Sequence, residues 1–521
     1  MTSTLFEIPD RFNMAQYFLD ARIEEGRGGR RAIVCGDRTF TYAQTQAESN
    51  RVANLLVRLG VEWEDRVLIV VPDLPEFVFA WFGILKAGAV FTMQNTILPA
   101  EDYEYYLEYT RAKVAFVHAS ALERFEPAAK KARFLRHVIV VGETVAEAPG
   151  SFLSYAKETA RESASFTNAD TSKDDVAGWL FTSGSTGRSK GAVHCHHDFP
   201  WNTERYAKAT LGYREDDVTL SVPKLFFGYA TGTNVMFPFS VGACTVLFPD
   251  RSTPERIVEL VEKHRPTILT NVPTMINQIL ALPDAAKRDL SSLRFSLSAG
   301  EALPAELYRR WKESYGVEVL DGIGSAEMFH IYITNRMGDV RLGSLGRVVE
   351  GYEARIVDAE GHDVPEGEIG RLRVKGDSAA LGYFGAHEKT KETFAGDWCT
   401  SADLFRKDGE GYYYFAGRAD DMLKVGGIFV SPMEIENCLL SHPAVKEVAV
   451  VGVEDADGSG LTISKAFVVP SSGHTAGEAL AAELQAFVKK TLAPYKYPRA
   501  VAFLDALPRG NTGKVLRREL R

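Results

Sequence analysis

Apolar and polar positions along the chain fall into three successive textures. Arg66–Val71, R-V-L-I-V-V, is a short apolar run stopped by Pro72, the pattern of a strand buried on both faces. Glu76–Lys86 follows with aliphatic and aromatic residues suited to a packed helix, and Gly88 closes it. Ala112–His118, Arg136–Val141 and Thr245–Phe248 repeat the strand pattern between helical segments. This alternation predicts a layered α/β architecture with largely parallel sheets. The polar stretch Glu158–Asp175 predicts a surface connection before another strand, Ala177–Phe181. Around Glu353 the texture changes: Ala354–Val357 and Gly370–Val374 are short strands separated by Asp358–Gly361 and Pro365–Gly367 turns, which predicts an antiparallel β unit. From Asp421 a compact α+β pattern runs on. It comprises a helix at Glu434–Leu440, strands at Val445–Val453 and Ile463–Val469, a helix at Ala476–Lys490 and a strand at Val501–Phe503. The expected division is a large N-terminal domain, residues 1–420, and a small C-terminal one, residues 421–521.

Composition narrows the function classes. With 521 residues, 45% hydrophobic and 25% charged, the chain can bury a large core without disulfide or metal staples. Its net charge of −9 argues against a general nucleic-acid surface. Cys35, Cys195, Cys244, Cys399 and Cys438 lie far apart, which excludes a disulfide framework or zinc ribbon and fits a reducing compartment. The N-terminus shows no basic region followed by an apolar one, and the greasy stretch Val78–Phe91 is broken by Lys86 and too short for a bilayer. The expectation is a cytoplasmic protein without a membrane partner. His194-Cys195-His196-His197 lacks metal-ligand spacing, and four adjacent side chains cannot converge on one ion, so a histidine-rich strand end is expected there.

The chemistry concentrates in Phe181–Gly191, F-T-S-G-S-T-G-R-S-K-G, directly after a strand. Its glycines allow close backbone approach, Thr182, Ser183, Ser185 and Thr186 supply hydroxyls, and Lys190 supplies a cation: a loop built to hold phosphate. It does not match the Walker A spacing.

With this motif the chain resembles the adenylate-forming superfamily of acyl- and aryl-CoA synthetases, peptide adenylation domains and luciferases. Four further motifs follow in the family's order: Ser298–Pro304, S-A-G-E-A-L-P; Asp321–Glu327, D-G-I-G-S-A-E; Thr400–Gly427; and Pro508–Arg517, P-R-G-N-T-G-K-V-L-R. The resemblance implies ATP or AMP contacts from Thr182, Ser183, Gly184, Ser185, Thr186 and Gly187. It implies others from Gly300, Glu301, Ala302, Asp321, Gly322, Ile323, Gly324 and Ser325, with Asp403 and Arg418 on the ribose. It makes Lys190, Glu327 and Lys514 catalytic, Glu327 through Mg²⁺, and places a hinge at Asp420 beside a CoA entry at Gly426-Gly427. A carboxylate suits vicinal hydroxyls and an oxygen ligand suits a hard cation, so Asp403 and Glu327 are chemically apt. The C-terminal domain is then the mobile one. Two positions depart from the family pattern: Ala326 stands where threonine is usual, and Ser189 where proline is usual.

Two aromatic segments, Lys224–Gly232 and Glu327–Arg336, resemble the benzoate-CoA ligase branch. By that resemblance Phe226, Phe227, Gly228, Tyr229, His330 and Ile331 line an aryl-carboxylate pocket, with Tyr229 and His330 meeting the carboxylate or a ring substituent. The implied reaction joins a benzoate to coenzyme A through an aryl-adenylate, using ATP and Mg²⁺; a homodimer is possible. Two other readings stay open: an adenylating enzyme that loads a carrier-protein thiol, and a non-catalytic nucleotide-binding regulator.

Overall fold

The computed structural model describes residues 6–142, 152–182, 188–418, 423–425, 428–454, 462–492, 496–509 and 515–520. Two large sheets organise the first part. The eight-stranded sheet has Arg66–Val70, Val90–Met93, Val114–His118, His137–Val141 and Val176–Thr182 in parallel, and Lys190–Cys195 antiparallel beside the last of these. Its central strands are buried on both faces because helices cover them, which explains their unbroken apolar sequences. Helix Pro75–Lys86 lies so deep that Glu76 is its only residue not fully buried. The nine-stranded sheet runs Cys244–Leu247, Val218–Ser221, Ile268–Asn271, Phe295–Ser298 and Glu318–Gly324 in parallel at its centre. One hydrophobic core packs residues of both sheets together.

The antiparallel unit expected near Glu353 is a five-stranded sheet built on Glu353–Val357, Gly370–Lys375, Trp398–Lys407 and Tyr413–Arg418. Beyond it, helices Pro432–Leu440 and Glu478–Thr491 pack with strands Val445–Glu454, Thr462–Pro470 and Ala500–Phe503 around a separate core that includes Ile435, Leu439, Val450, Val468 and Leu484.

One expectation needs correction. Glu158–Asp175 is not a simple surface connection: Glu158 and Thr159 lie in helix Tyr155–Ala160, and both are buried, as is Thr171. Asn168 reaches the buried Lys86–Asp20 pair, donating to Asp20 at 2.7 Å and accepting from Lys86 at 3.2 Å. Polar residues are required in this stretch because it satisfies an ion pair inside the fold. Among the described residues no helix is long and apolar enough to cross a membrane.

Candidate active site

Strands Val176–Thr182 and Lys190–Cys195 pair antiparallel, with Thr182 opposite Lys190. The expected phosphate loop is therefore the connection of a hairpin, although Ser183, Gly184, Ser185, Thr186 and Gly187 themselves lie outside the described residues. Its stems are held by helix Ala100–Thr110, which the sequence reading did not single out. Tyr105 donates to the Ser189 carbonyl at 2.6 Å, and Tyr109 accepts from the Gly191 N–H at 3.2 Å. Tyr106 meets Phe181 edge-on at 4.9 Å, and Arg188 lies 4.9 Å over the Tyr105 ring. The signal was present as Y-E-Y-Y-L-E-Y, which sets Tyr105 and Tyr109 on one helix face. Burial raises the pKa of all three phenols, so they keep their donor hydrogens.

Glu327 sits in a short 3₁₀ turn, Ala326–Met328, after strand Glu318–Gly324. Every peptide of this turn is gripped. The Ala326 carbonyl accepts from His194 Nε2 at 2.6 Å, the Glu327 carbonyl from Ala380 N–H at 2.8 Å, and the Met328 carbonyl from Ser378 Oγ at 2.9 Å. The carboxylate accepts from Tyr383 hydroxyl at 2.6 Å, and Lys190 Nζ lies 5.6 Å from the Tyr383 ring centre. Nothing local to Tyr383 advertises this pairing; strand Gly382–Tyr383 reaches it by joining the edge of the eight-stranded sheet. Next comes Phe329, with φ 66° and ψ −59°, while His330 N–H donates to the Met328 carbonyl at 2.8 Å. That is a γ-turn of the strained kind on a bulky residue.

His330 is buried among Phe237, Phe329, Tyr229 and Tyr206, with ring centres 4.7 to 5.5 Å away. Gly232 makes room for it, since a Cβ there would collide with the imidazole. Nε2–H donates to the Tyr229 carbonyl at 3.1 Å, and burial pushes the ring pKa down to about 3. The ring is therefore neutral, and Nδ1, buried and without a partner, is a hydrogen-bond acceptor. Of the two partners expected for His330, a carboxylate or a ring substituent, this geometry suits a substituent that donates a hydrogen bond. The buried Tyr229 hydroxyl is likewise unpartnered. Ile331 is buried at the start of strand Ile331–Thr334. Phe226 and Phe227 form their own ring pair at 4.3 Å, Phe227 being exposed, and Gly228 abuts Leu180. Asp73, also missed, anchors this segment by accepting from Leu225 N–H at 2.9 Å; burial raises its pKa to about 6.

Strands Phe295–Ser298 and Glu318–Gly324 are parallel neighbours with Ser298 opposite Asp321. Loop residues Gly300, Glu301 and Ala302 and the segment Gly322, Ile323, Gly324 and Ser325 therefore meet at the carboxyl end of this sheet, where ligands of open α/β sheets bind. Gly300 needs its glycine, having φ +84°. Glu301 is already engaged, accepting from Thr274 hydroxyl at 2.7 Å. Asp321 lines a small pocket with Tyr308, Asn335, Arg341 and Ser344, and burial raises its pKa to about 8. Asp403 stands opposite Arg418 across two antiparallel strands. Asp420, Gly426, Gly427 and Lys514 lie outside the described residues.

The four residues His194–His197 diverge, as adjacent residues on a strand end must. His194 reaches Ala326, and His196 accepts from Met14 N–H at 3.2 Å. Cys195, His197 and Asp198 do bring donor atoms within 4.8 Å of one another. Asp198 is committed to His194 there, and burial raises the Cys195 thiol pKa.

The two α/β sheets with a carboxylate turn at a strand end match solved enzymes of the adenylate-forming fold. Residues 20–384 match the AMP-binding enzyme family, and residues 434–514 match the AMP-binding enzyme C-terminal domain. The chain belongs to the AMP-binding enzyme family. It is 43% identical to a benzoate–CoA ligase of Thauera aromatica, over 100% of this chain and 98% of the relative. It is 40% identical to a 4-hydroxybenzoate–CoA/benzoate–CoA ligase of Rhodopseudomonas palustris, over 98% and 94%. Among solved structures, the anthranilate CoA ligase AuaEII in complex with anthranoyl-AMP superposes with a TM-score of 0.93 at 40% identity, covering 99% of this chain and 97% of that one. A benzoate CoA ligase from Burkholderia xenovorans LB400 gives 0.89 at 39%, covering 98% and 100%.

Proposed function

We propose that this enzyme is an AMP-forming aryl-CoA ligase acting on benzoate or a small ring-substituted benzoate. The observation that carries the reading is the γ-turn at Phe329. It sets Glu327, bonded to Tyr383 near Lys190, apart from His330 in its aromatic surround. One short segment thus serves the nucleotide and the acid together, and the full-length likeness to benzoate and anthranilate CoA ligases supports the same assignment.

In this reading the aryl carboxylate attacks the α-phosphorus of ATP, giving aryl-adenylate and pyrophosphate. The CoA thiol then attacks the activated carbonyl and AMP leaves. No protein nucleophile is needed; positioning and charge stabilisation do the catalysis. Lys190 and Lys514 would offset phosphate charge, Asp403 and Arg418 would hold the ribose, and Asp420 would let residues 421–521 turn between the two steps. Glu327 presents a carboxylate with lone pairs beyond the one Tyr383 uses, which fits a hard cation. Mg²⁺ held there would neutralise phosphate charge. A cytoplasmic enzyme, working alone or as a homodimer, accords with this chemistry.

The test is a panel of benzoate, hydroxy- and aminobenzoates and octanoate, assayed for AMP and thioester with and without CoA. AMP and aryl-thioester should form together with CoA and the aryl acids, and octanoate should be poor. Octanoate preferred over every benzoate would overturn the aryl assignment, and adenylate formation without thioester would redirect the second step to a carrier-protein thiol.

A further inference from the structure

Behind the Glu327 turn lies a buried pair that the reaction has so far left unused. His194 and Asp198 have side chains 0% and 1% exposed, at the end of strand Lys190–Cys195 and the start of helix Asp198–Asn202. His194 Nδ1 is 2.6 Å from Asp198 Oδ2, and Nε2 is 2.6 Å from the Ala326 carbonyl oxygen. A carbonyl accepts only, so Nε2 carries a hydrogen. On the other side, either Nδ1 donates to the carboxylate or a protonated Asp198 donates to Nδ1. Bonds of this charge-assisted kind are short and strongly directional, more so away from water. Asp198 is itself fixed, accepting the Cys195 N–H at 3.2 Å, and Phe199 packs 5.5 Å from the imidazole.

We propose that His194, oriented by Asp198, is a positioning residue that sets Glu327 for Mg·ATP by holding the Ala326 carbonyl, and that it bears on the first half-reaction only. The proposal rests on the ligase reading for its reaction step. Ala326 has no hydroxyl, so this peptide is steadied from the carbonyl side, by a group reaching in from the strand that follows the phosphate loop. Ala380 and Tyr383 hold the Glu327 carbonyl and carboxylate. Without His194 the Ala326 carbonyl loses its side-chain donor, and the Ala326–Glu327 peptide can rotate. A partner of this indirect kind is typically worth 10- to 100-fold in metal affinity or activity.

The experiment compares the full-length enzyme with His194→Ala, His194→Gln and His194→Asn. Benzoate-dependent ATP–pyrophosphate exchange reads the first step. Thioester formation from supplied benzoyl-adenylate and CoA reads the second. The thermal shift caused by Mg·ATP, against that caused by AMP alone, reads the site without any acid present. His194→Ala should lower the exchange kcat about 10- to 100-fold. Its KM for benzoate and its second step should stay within about threefold, and most of its Mg·ATP shift but not its AMP shift should be lost. The glutamine amide reaches the place of Nε2 and should restore exchange to within about fivefold, whereas asparagine, reaching only the place of Nδ1, should not. Equal loss in both steps, an unchanged Mg·ATP shift, or asparagine rescuing as well as glutamine would overturn the proposal. Unmodified enzyme inactive on every benzoate would overturn the ligase reading instead, and the Mg·ATP shift would still decide the role of His194.

Discussion

His330 shows how much hangs on one hydrogen. Because Nε2–H is used on the Tyr229 carbonyl and burial keeps the ring neutral, the atom left over is an acceptor. A benzoate bearing an amino or hydroxyl group should therefore lose more from His330→Ala than benzoate itself, by about 5- to 10-fold in kcat/KM, the scale of one neutral hydrogen bond. ATP KM should hold within about twofold; kcat/KM values across the acid panel measure this, and a uniform loss would show that the imidazole only fills space. Lys514 belongs to the same scale, although it lies outside the described residues. The proposed mechanism gives it charge neutralisation during adenylation alone, from its place in P-R-G-N-T-G-K. Lys514→Ala should cut adenylate formation by about 10²-fold or more while thioester formation from supplied adenylate survives. Single-turnover assays of each half-reaction check the split, and parallel losses would contradict it.

Among elements, the site is assembled by contacts between segments remote in sequence. The tyrosine face of helix Ala100–Thr110 holds Ser189 and Gly191 of the hairpin, and strand Gly382–Tyr383 delivers the hydroxyl that meets Glu327. The proposed mechanism also turns residues 421–521 about Asp420, which lies outside the described residues. Asp420→Pro fixes one backbone angle and should favour one arrangement of the two domains, leaving adenylation intact while thioester formation falls at least tenfold. Gly426→Ile should give the same pattern by filling the CoA approach, with ATP use unaltered. Pre-steady-state pyrophosphate and thioester assays read both variants; normal thioester turnover in the pair would remove the rotation from the mechanism. Strand and helix positions of the first domain were legible because buried parallel strands and packed helices impose strong, distinct periodicities. The tyrosine face went unread because its role depends on which strand end the helix covers.

For the whole molecule, burial of carboxyl groups sets how stability varies with pH. Asp321 is held protonated in the fold up to about pH 8, while in the unfolded chain it ionises near its ordinary value of 3.8. A carboxyl raised by folding contributes stability fully below the unfolded value and loses it as pH climbs through the folded one. Between pH 5 and 8 the unmodified enzyme should therefore lose stability relative to Asp321→Asn by up to ~1.4 kcal/mol per pH unit. Thermal unfolding of both at several pH values tests this, and parallel curves would refute it. The sequence by itself determined the fold class and the order of the five motifs, because buried strands and packed helices have distinct periodicities and the motifs stand in the order of a known family, whose resemblance implies their chemistry. Only the tertiary structure decided which nitrogen of His330 is left unbonded, that Asp321 is buried, and that His194, Ala380 and Tyr383 converge on the Glu327 turn. A hydrogen bond's direction and a group's burial depend on which strands lie side by side, and neighbours brought together across 56 or 132 residues leave no mark in local pattern.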